Sequence, residues 1–116
     1  MQHLVKQLTL ALGVVLTIVG IAGFFSGDML VVFQVDTLHN VIHLLSGVVA
    51  LAAVNAGTSY ARMYLIIFGI VYGLVTILGF TMAGSILGLF SVNMADNYLH
   101  AVIAIACLWV GFRSKS

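Results

Sequence analysis

The sequence has no proline, a single cysteine and very little charge: 6% of its 116 residues are Asp, Glu, Lys or Arg. A soluble domain carries about 25% charged residues, so a water-facing globule is excluded. The lone cysteine, Cys107, cannot form an intrachain disulfide and says nothing of the redox compartment. A net charge of +1 gives no sign of nucleic-acid binding. The chain also lacks a nucleophile elbow, a phosphate-cradling glycine loop and paired catalytic carboxylates.

What remains is 63% hydrophobic and lies mostly in long apolar stretches. Those at 4–25, 36–56, 61–82 and 94–112 each suffice to cross a bilayer, which takes about 20 residues. The lipid bilayer is therefore the solvent, and no stretch is left over for a soluble catalytic domain. Lys6 followed by an apolar run and the small pair Ala22-Gly23 imitates a secretory signal. The run exceeds a usual signal core, and its residues recur later in the chain. The first span is expected to stay.

That recurrence organises the protein. Phe33, Val35, Asn40 and His43 return as Phe90, Val92, Asn97 and His100, while Asp36 becomes Asn93 and His39 becomes Asp96. Gly13-Val14-Val15 and Ile21-Ala22-Gly23-Phe24 return as Gly69-Ile70-Val71 and Ile77-Leu78-Gly79-Phe80. The expected fold is all-α: one transmembrane domain over 1–116, built of two tandem helical hairpins, about 4–56 and about 61–112. Each hairpin returns the chain to its starting side, so the copies share one orientation. A pseudo-two-fold axis along the membrane normal then relates them.

Lys6, Arg62, Arg113 and Lys115 all fall on one side of such a bundle, and Asp28, Asp36 and Asp96 on the other. The positive-inside rule makes both termini cytoplasmic and turns the polar clusters outward. The outer connections, about 26–35 and 83–92, are too apolar for open water and are expected to lie in the interface or tuck over the bundle mouth as short caps. Gly69-xxx-Gly73 and Gly84-xxx-Gly88 carry the spacing of close helix contacts in lipid. Tyr60, Arg62, Tyr64, Tyr98 and Trp109 read as interfacial anchors.

With about 100° between successive residues, Asp36, His39, Asn40 and His43 share one helix face. Asn93, Asp96, Asn97 and His100 share another. Polar faces in lipid turn toward other helices, so the two clusters are expected to meet near the axis. His39 and His43 stand one turn apart, as do Asp96 and His100. Three imidazoles and a carboxylate form a four-ligand set for zinc, copper or iron. Asn40 and Asn97 then serve to orient ligands from behind, and Asp36 and Asn93 to cap their helices, with Asn93 and Asp96 as a capping box.

Two variants and a plainer account compete with this set. His43 and His100 are the pair a bis-histidine haem requires, although the His39/Asp96 level crowds a porphyrin. Met29 and Met94 could offer sulfur to copper, but read more simply as interfacial packing. In the plainer account the same side chains form a hydrogen-bonded plug that holds the bundle together. His3 reads as a solvated terminal residue.

The strings F-Q-V-D-T-L-H-N-V-I-H-L-L-S-G and L-G-L-F-S-V-N-M-A-D-N-Y-L-H, with A-R-M-Y-L-I-I-F-G-I-V-Y between them, carry a resemblance. They are similar to a bacterial family of small four-helix integral membrane proteins catalogued only as a domain of unknown function. The likeness spans nearly the whole chain, and the paired HN-xx-H and DN-xx-H motifs are its most specific part. It implies a four-helix fold in a membrane and supplies no activity. Gln34 and Ser91 depart from it, since such proteins often carry proline there.

The reading from sequence is a membrane binding or accessory protein with an outward His/Asp/Asn centre, alone, as a homo-oligomer or with a membrane protein partner. A small proton or ion transporter is the competing class, since two parallel repeats meet at histidines. No charged residue lies deep in any span, however. An enzyme has the least support, because a metal-bound water needs an open position and a substrate pocket.

Overall fold

The computed structural model describes residues 2–82 and 84–114. Four helices carry the chain: α1 (Gln2–Gly23), α2 (Thr37–Ala56), α3 (Thr58–Thr81) and α4 (Met94–Arg113). Each is long and apolar enough to cross a membrane. Hydrocarbon offers the backbone no hydrogen bonds, so a helix that satisfies its own is the state an apolar run adopts there. The threonines obey the same constraint. Thr9, Thr17, Thr76 and Thr81 donate their hydroxyl protons to Val5, Gly13, Tyr72 and Ile77 carbonyls one turn back.

The fold is the expected pair of hairpins. α1 packs closely on α2 and α3 on α4, with thinner contact between the pairs. Glycine permits the intimacy within a pair: a Cβ at Gly20 would stand 2.5 Å from the Leu44 backbone nitrogen, and one at Gly69 would stand 2.8 Å from the Leu108 side chain. Gly73 is looser, with Ala104 at 3.9 Å. Gly84 and Gly88 need a different explanation from helix packing. They lie outside the helices with φ of +77° and +71°, so their four-residue spacing belongs to a turn.

That turn is part of the caps over the bundle mouth, which the structure resolves into two short antiparallel ladders. β1 (Met29–Leu30) pairs with β2 (Phe33–Gln34), and β3 (Ser85–Ile86) with β4 (Phe90–Ser91). Leu30 faces Phe33, leaving Val31 and Val32 in the loop, whereas Ile86 faces Phe90 across Leu87, Gly88 and Leu89. The second copy is thus one residue longer at its tip. This extra residue separates the earlier matches, such as Gly13 with Gly69, from the later ones, such as His43 with His100. Val31 and Leu87 occupy matching tips at φ 58° and 54°, a region bulky side chains rarely enter.

The strand ladders lie at one end of the bundle, beside the starts of α2 and α4. Lys6, Arg62 and Arg113 lie at the other end, where Arg62 donates from Nε to the Ser114 carbonyl at 3.0 Å and the Arg113 guanidinium sits 4.6 Å over the Trp109 ring. Lys115 lies outside the described residues. Tyr60 and Tyr98 are exposed, as anchors should be. Tyr64 is not an anchor: it is buried, and its hydroxyl donates to the Ser46 carbonyl at 2.9 Å. It joins Leu16, Leu65, Tyr72 and Cys107 in the central core.

Candidate metal centre

The site begins with how two helices start. Asp36 caps α2 by accepting the His39 amide on Oδ1 at 2.8 Å. Asn93 caps α4 by accepting the Asp96 amide at 2.9 Å, and Asp96 Oδ2 accepts the Asn93 amide in return at 2.9 Å. This is the expected capping box. Caps fix the first turn of each helix, so the side chains at 39 and 96, and those at 43 and 100 one turn on, leave the helix in defined directions.

Each helix start also reaches across to the other repeat. Asp36 Oδ2 accepts the Ser91 amide at 2.7 Å, and Asp96 Oδ2 accepts the Gln34 amide at 3.1 Å. Asn93 donates from Nδ2 to the Val32 carbonyl at 2.9 Å. Gln34 and Ser91 are the two positions that depart from the resembled pattern. A proline at either would have no amide proton to give these carboxylates. The significance of these residues lies in their backbone, which no side-chain motif announces.

His39, His43 and His100 are brought together, each at most 2% exposed. Ring nitrogens of all three fall within 4.8 Å of one another. The Nε2 atoms of His39 and His43 each lie 3.4 Å from Nε2 of His100. His39 Nδ1 lies 3.1 Å from the Ser91 carbonyl oxygen. A carbonyl can only accept, so Nδ1 carries the proton and, in the neutral ring, Nε2 turns a lone pair inward. That is the arrangement of a metal-ligating histidine held from behind. Asp36 and Asp96 both lie close enough to act electrostatically on His39.

The other predicted residues stand around this trio. Asp96 is fully buried beside it but outside the convergent group; Oδ2 is held by two amides, while Oδ1 has no hydrogen-bond partner among the described residues. Asn40 and Asn97 press against Gly23 and Gly79, where a Cβ would collide with the amide oxygen in both repeats. Asn97 donates from Nδ2 to the Gly79 carbonyl at 3.0 Å and to Met94 Sδ at 3.6 Å. These amides tie α2 to α1 and α4 to α3. The contact that orients the His39 ring comes from Ser91 instead. His3 is exposed near the opposite end of α1.

Beneath the trio lies a second polar group that the sequence reading missed. The Tyr72 ring is 5.5 Å from the His100 ring, and its hydroxyl donates to Ser46 Oγ at 3.0 Å. Ser46 donates to the Ile42 carbonyl at 2.7 Å. Tyr72 stands where the first repeat has Leu16, and Ser46 where the second has Ile103. That loss of symmetry was the available signal.

The family described as Domain of unknown function (DUF4383) matches residues 6–113. The chain belongs to this family. No curated protein and no solved structure matches it. The DUF4383 fold, as this member shows it, is the four-helix pair of hairpins with a buried histidine trio at the end covered by strand ladders.

Proposed function

We propose that this protein is a metal-binding membrane protein whose three-histidine centre holds a divalent transition-metal ion at the outer end of the bundle. The observation that carries this reading is the mutual approach of three ring nitrogens, one of which is already committed as a lone pair. Ligands about 2.0–2.1 Å from zinc at tetrahedral angles stand about 3.3–3.4 Å apart. Two of the three nitrogen separations are 3.4 Å. At right angles, as in square-planar or octahedral sites, the same bonds would give about 2.9 Å. Zinc therefore fits best among zinc, copper and iron.

The charges agree with a divalent ion. Neutral imidazoles bring none, while the carboxyl groups of Asp36 and Asp96 stand near His39 and are acidic groups at this end of the bundle. The positive ends of α2 and α4 point to the same region, so an added cation needs those carboxylates. A porphyrin fits poorly, because His39 fills the space beside the His43–His100 pair. The role supported is binding, in a bilayer, with the basic end of the bundle in the cytoplasm by the positive-inside rule.

A hydrogen-bonded plug is the second reading. His43 Nδ1 and His100 Nδ1 have no hydrogen-bond partner among the described residues, although metal-bound histidines almost always donate that proton. A relay for transport has less support: the hydroxyls of Tyr64 and Ser46 end on carbonyls, not on further relay groups. Elemental analysis of detergent-purified protein decides between metal and plug. Near-stoichiometric zinc, lost in His39→Ala, His43→Ala and His100→Ala but kept in His3→Ala, is the expected result. Equal metal content in all five proteins would overturn the centre.

A further inference from the structure

The metal reading leaves open what completes the coordination, and the symmetry of the chain bears on it. The pseudo-two-fold axis relates position 43 to 100 and position 39 to 96. A tetrahedron contains such an axis, with its four vertices falling into two exchanged pairs. His43 and His100 supply one pair, and His39 supplies one member of the other. The fourth vertex therefore lies on the side of Asp96.

Asp96 is built differently from the ligand it mirrors. An aspartate is about one bond shorter than a histidine measured to its reactive atom. Backbone amides of Asn93 and Gln34 also hold back its Oδ2. The remaining oxygen, Oδ1, is buried with no hydrogen-bond donor among the described residues. A buried acceptor of that kind is costly unless a donor reaches it. Three protein nitrogens, for their part, leave zinc seeking a fourth ligand.

One small molecule meets both requirements. We propose that the fourth ligand is a non-protein oxygen, a water or hydroxide exchangeable for a small anion, and that Asp96 holds it by accepting its proton on Oδ1. The inference rests on the metal reading. It makes Asp96 a positioning residue for an exchangeable ligand.

Cobalt(II) is the probe, because its visible absorption reports its coordination. The detergent-purified protein, loaded with cobalt, is titrated with sodium azide. The expected result is a tetrahedral cobalt spectrum that azide shifts saturably. Asp96→Asn keeps an oxygen to accept the two amides but removes the charge that repels an anion and the carboxylate that favours water. Azide should then bind tighter, by about fivefold, the size of one hydrogen bond. General damage to the site would weaken it instead. Asp96→His restores the symmetry and should keep cobalt while abolishing the azide shift.

Failure of the two ideas looks different. Absence of any cobalt spectrum, or cobalt binding unaffected by His43→Ala and His100→Ala, overturns the metal centre and this proposal with it. A cobalt centre that depends on those histidines but ignores azide overturns only the fourth-ligand proposal. Should Asp96→His fail to fold, the wild-type titration and Asp96→Asn still decide the question.

Discussion

The two repeats keep the same backbone and divide its chemistry unequally. Asn40 and Asn97 press on matching glycines, and His43 and His100 face one another. These pairs keep one placement in both copies. Around them the copies diverge. The first repeat places its carboxylate at the cap, Asp36, and an imidazole one turn on. The second places an amide at the cap, Asn93, and its carboxylate at Asp96. Each helix start nevertheless keeps one carboxylate bonded to a backbone amide of the other repeat. Joining the repeats is the shared requirement; moving the carboxylate leaves position 39 to an imidazole.

Removing the divergent carboxylates is the strongest way to break the comparison. Asp36→Ala removes a helix cap and leaves the half-buried Ser91 amide without this carboxylate. A lost cap costs about 0.5–2 kcal/mol and an orphaned donor about 1–3 kcal/mol. Asp96→Ala removes the corresponding bonds at Asn93 and Gln34. Each is expected to lower stability by about 2–4 kcal/mol, read from thermal unfolding in detergent. Near-equal losses would support one carboxylate per repeat as a common fastener. A large loss in only one would show that a single repeat closes the bundle.

The conserved-looking pairs should respond in step. In Gly23→Ala and Gly79→Ala the new methyl meets Asn40 or Asn97 Oδ1. Overpacking of this kind costs about 1–3 kcal/mol; the two losses should be similar if the sites are equivalent, and in the double variant they should add within about 0.5 kcal/mol if the sites are independent. A wide disagreement would mean that the asparagines hold their helices by different contacts.

Much of this architecture was legible in the sequence. The spans, the hairpin duplication, the caps at Asp36 and Asn93 and the gathering of His39, His43 and His100 all follow from composition, spacing and repetition. The bonds between repeats were hidden because their donors are the amides of Gln34 and Ser91, and a backbone group has no letter. Tyr64 was misplaced because a tyrosine near a span end suits either the interface or, when its hydroxyl finds a carbonyl, the core. Gly84 and Gly88 were ambiguous too, since the same spacing serves helix contact and a turn.

The Tyr72–Ser46 pair marks a smaller asymmetry. Tyr72→Phe removes the proton donated to Ser46 Oγ. Ser46 still bonds the Ile42 carbonyl, so the loss is one hydrogen bond, about 0.5–1.5 kcal/mol. Metal content should not change, because the tyrosine hydroxyl is bonded to Ser46 and the His100 contact is between rings. Loss of metal in this variant would make the hydroxyl pair part of the centre.

The smallest expected effect is at the hairpin tips, and it should run the other way. Val31 and Leu87 hold left-handed backbone at matching positions, φ 58° and 54°, with most of their side chains exposed. A β-branched residue resists that conformation more than leucine does, and the cost for a non-glycine residue is roughly 1–2 kcal/mol. Glycine removes the strain but gives the unfolded chain more freedom to lose. Val31→Gly should therefore stabilise by about 0.5–1 kcal/mol, and Leu87→Gly by somewhat less. Thermal unfolding of the two variants side by side tests this. If Val31→Gly destabilises, the valine side chain makes a contact with lipid or a neighbouring molecule that outweighs the backbone strain. The tip of the first repeat would then be a contact surface that the second does not share.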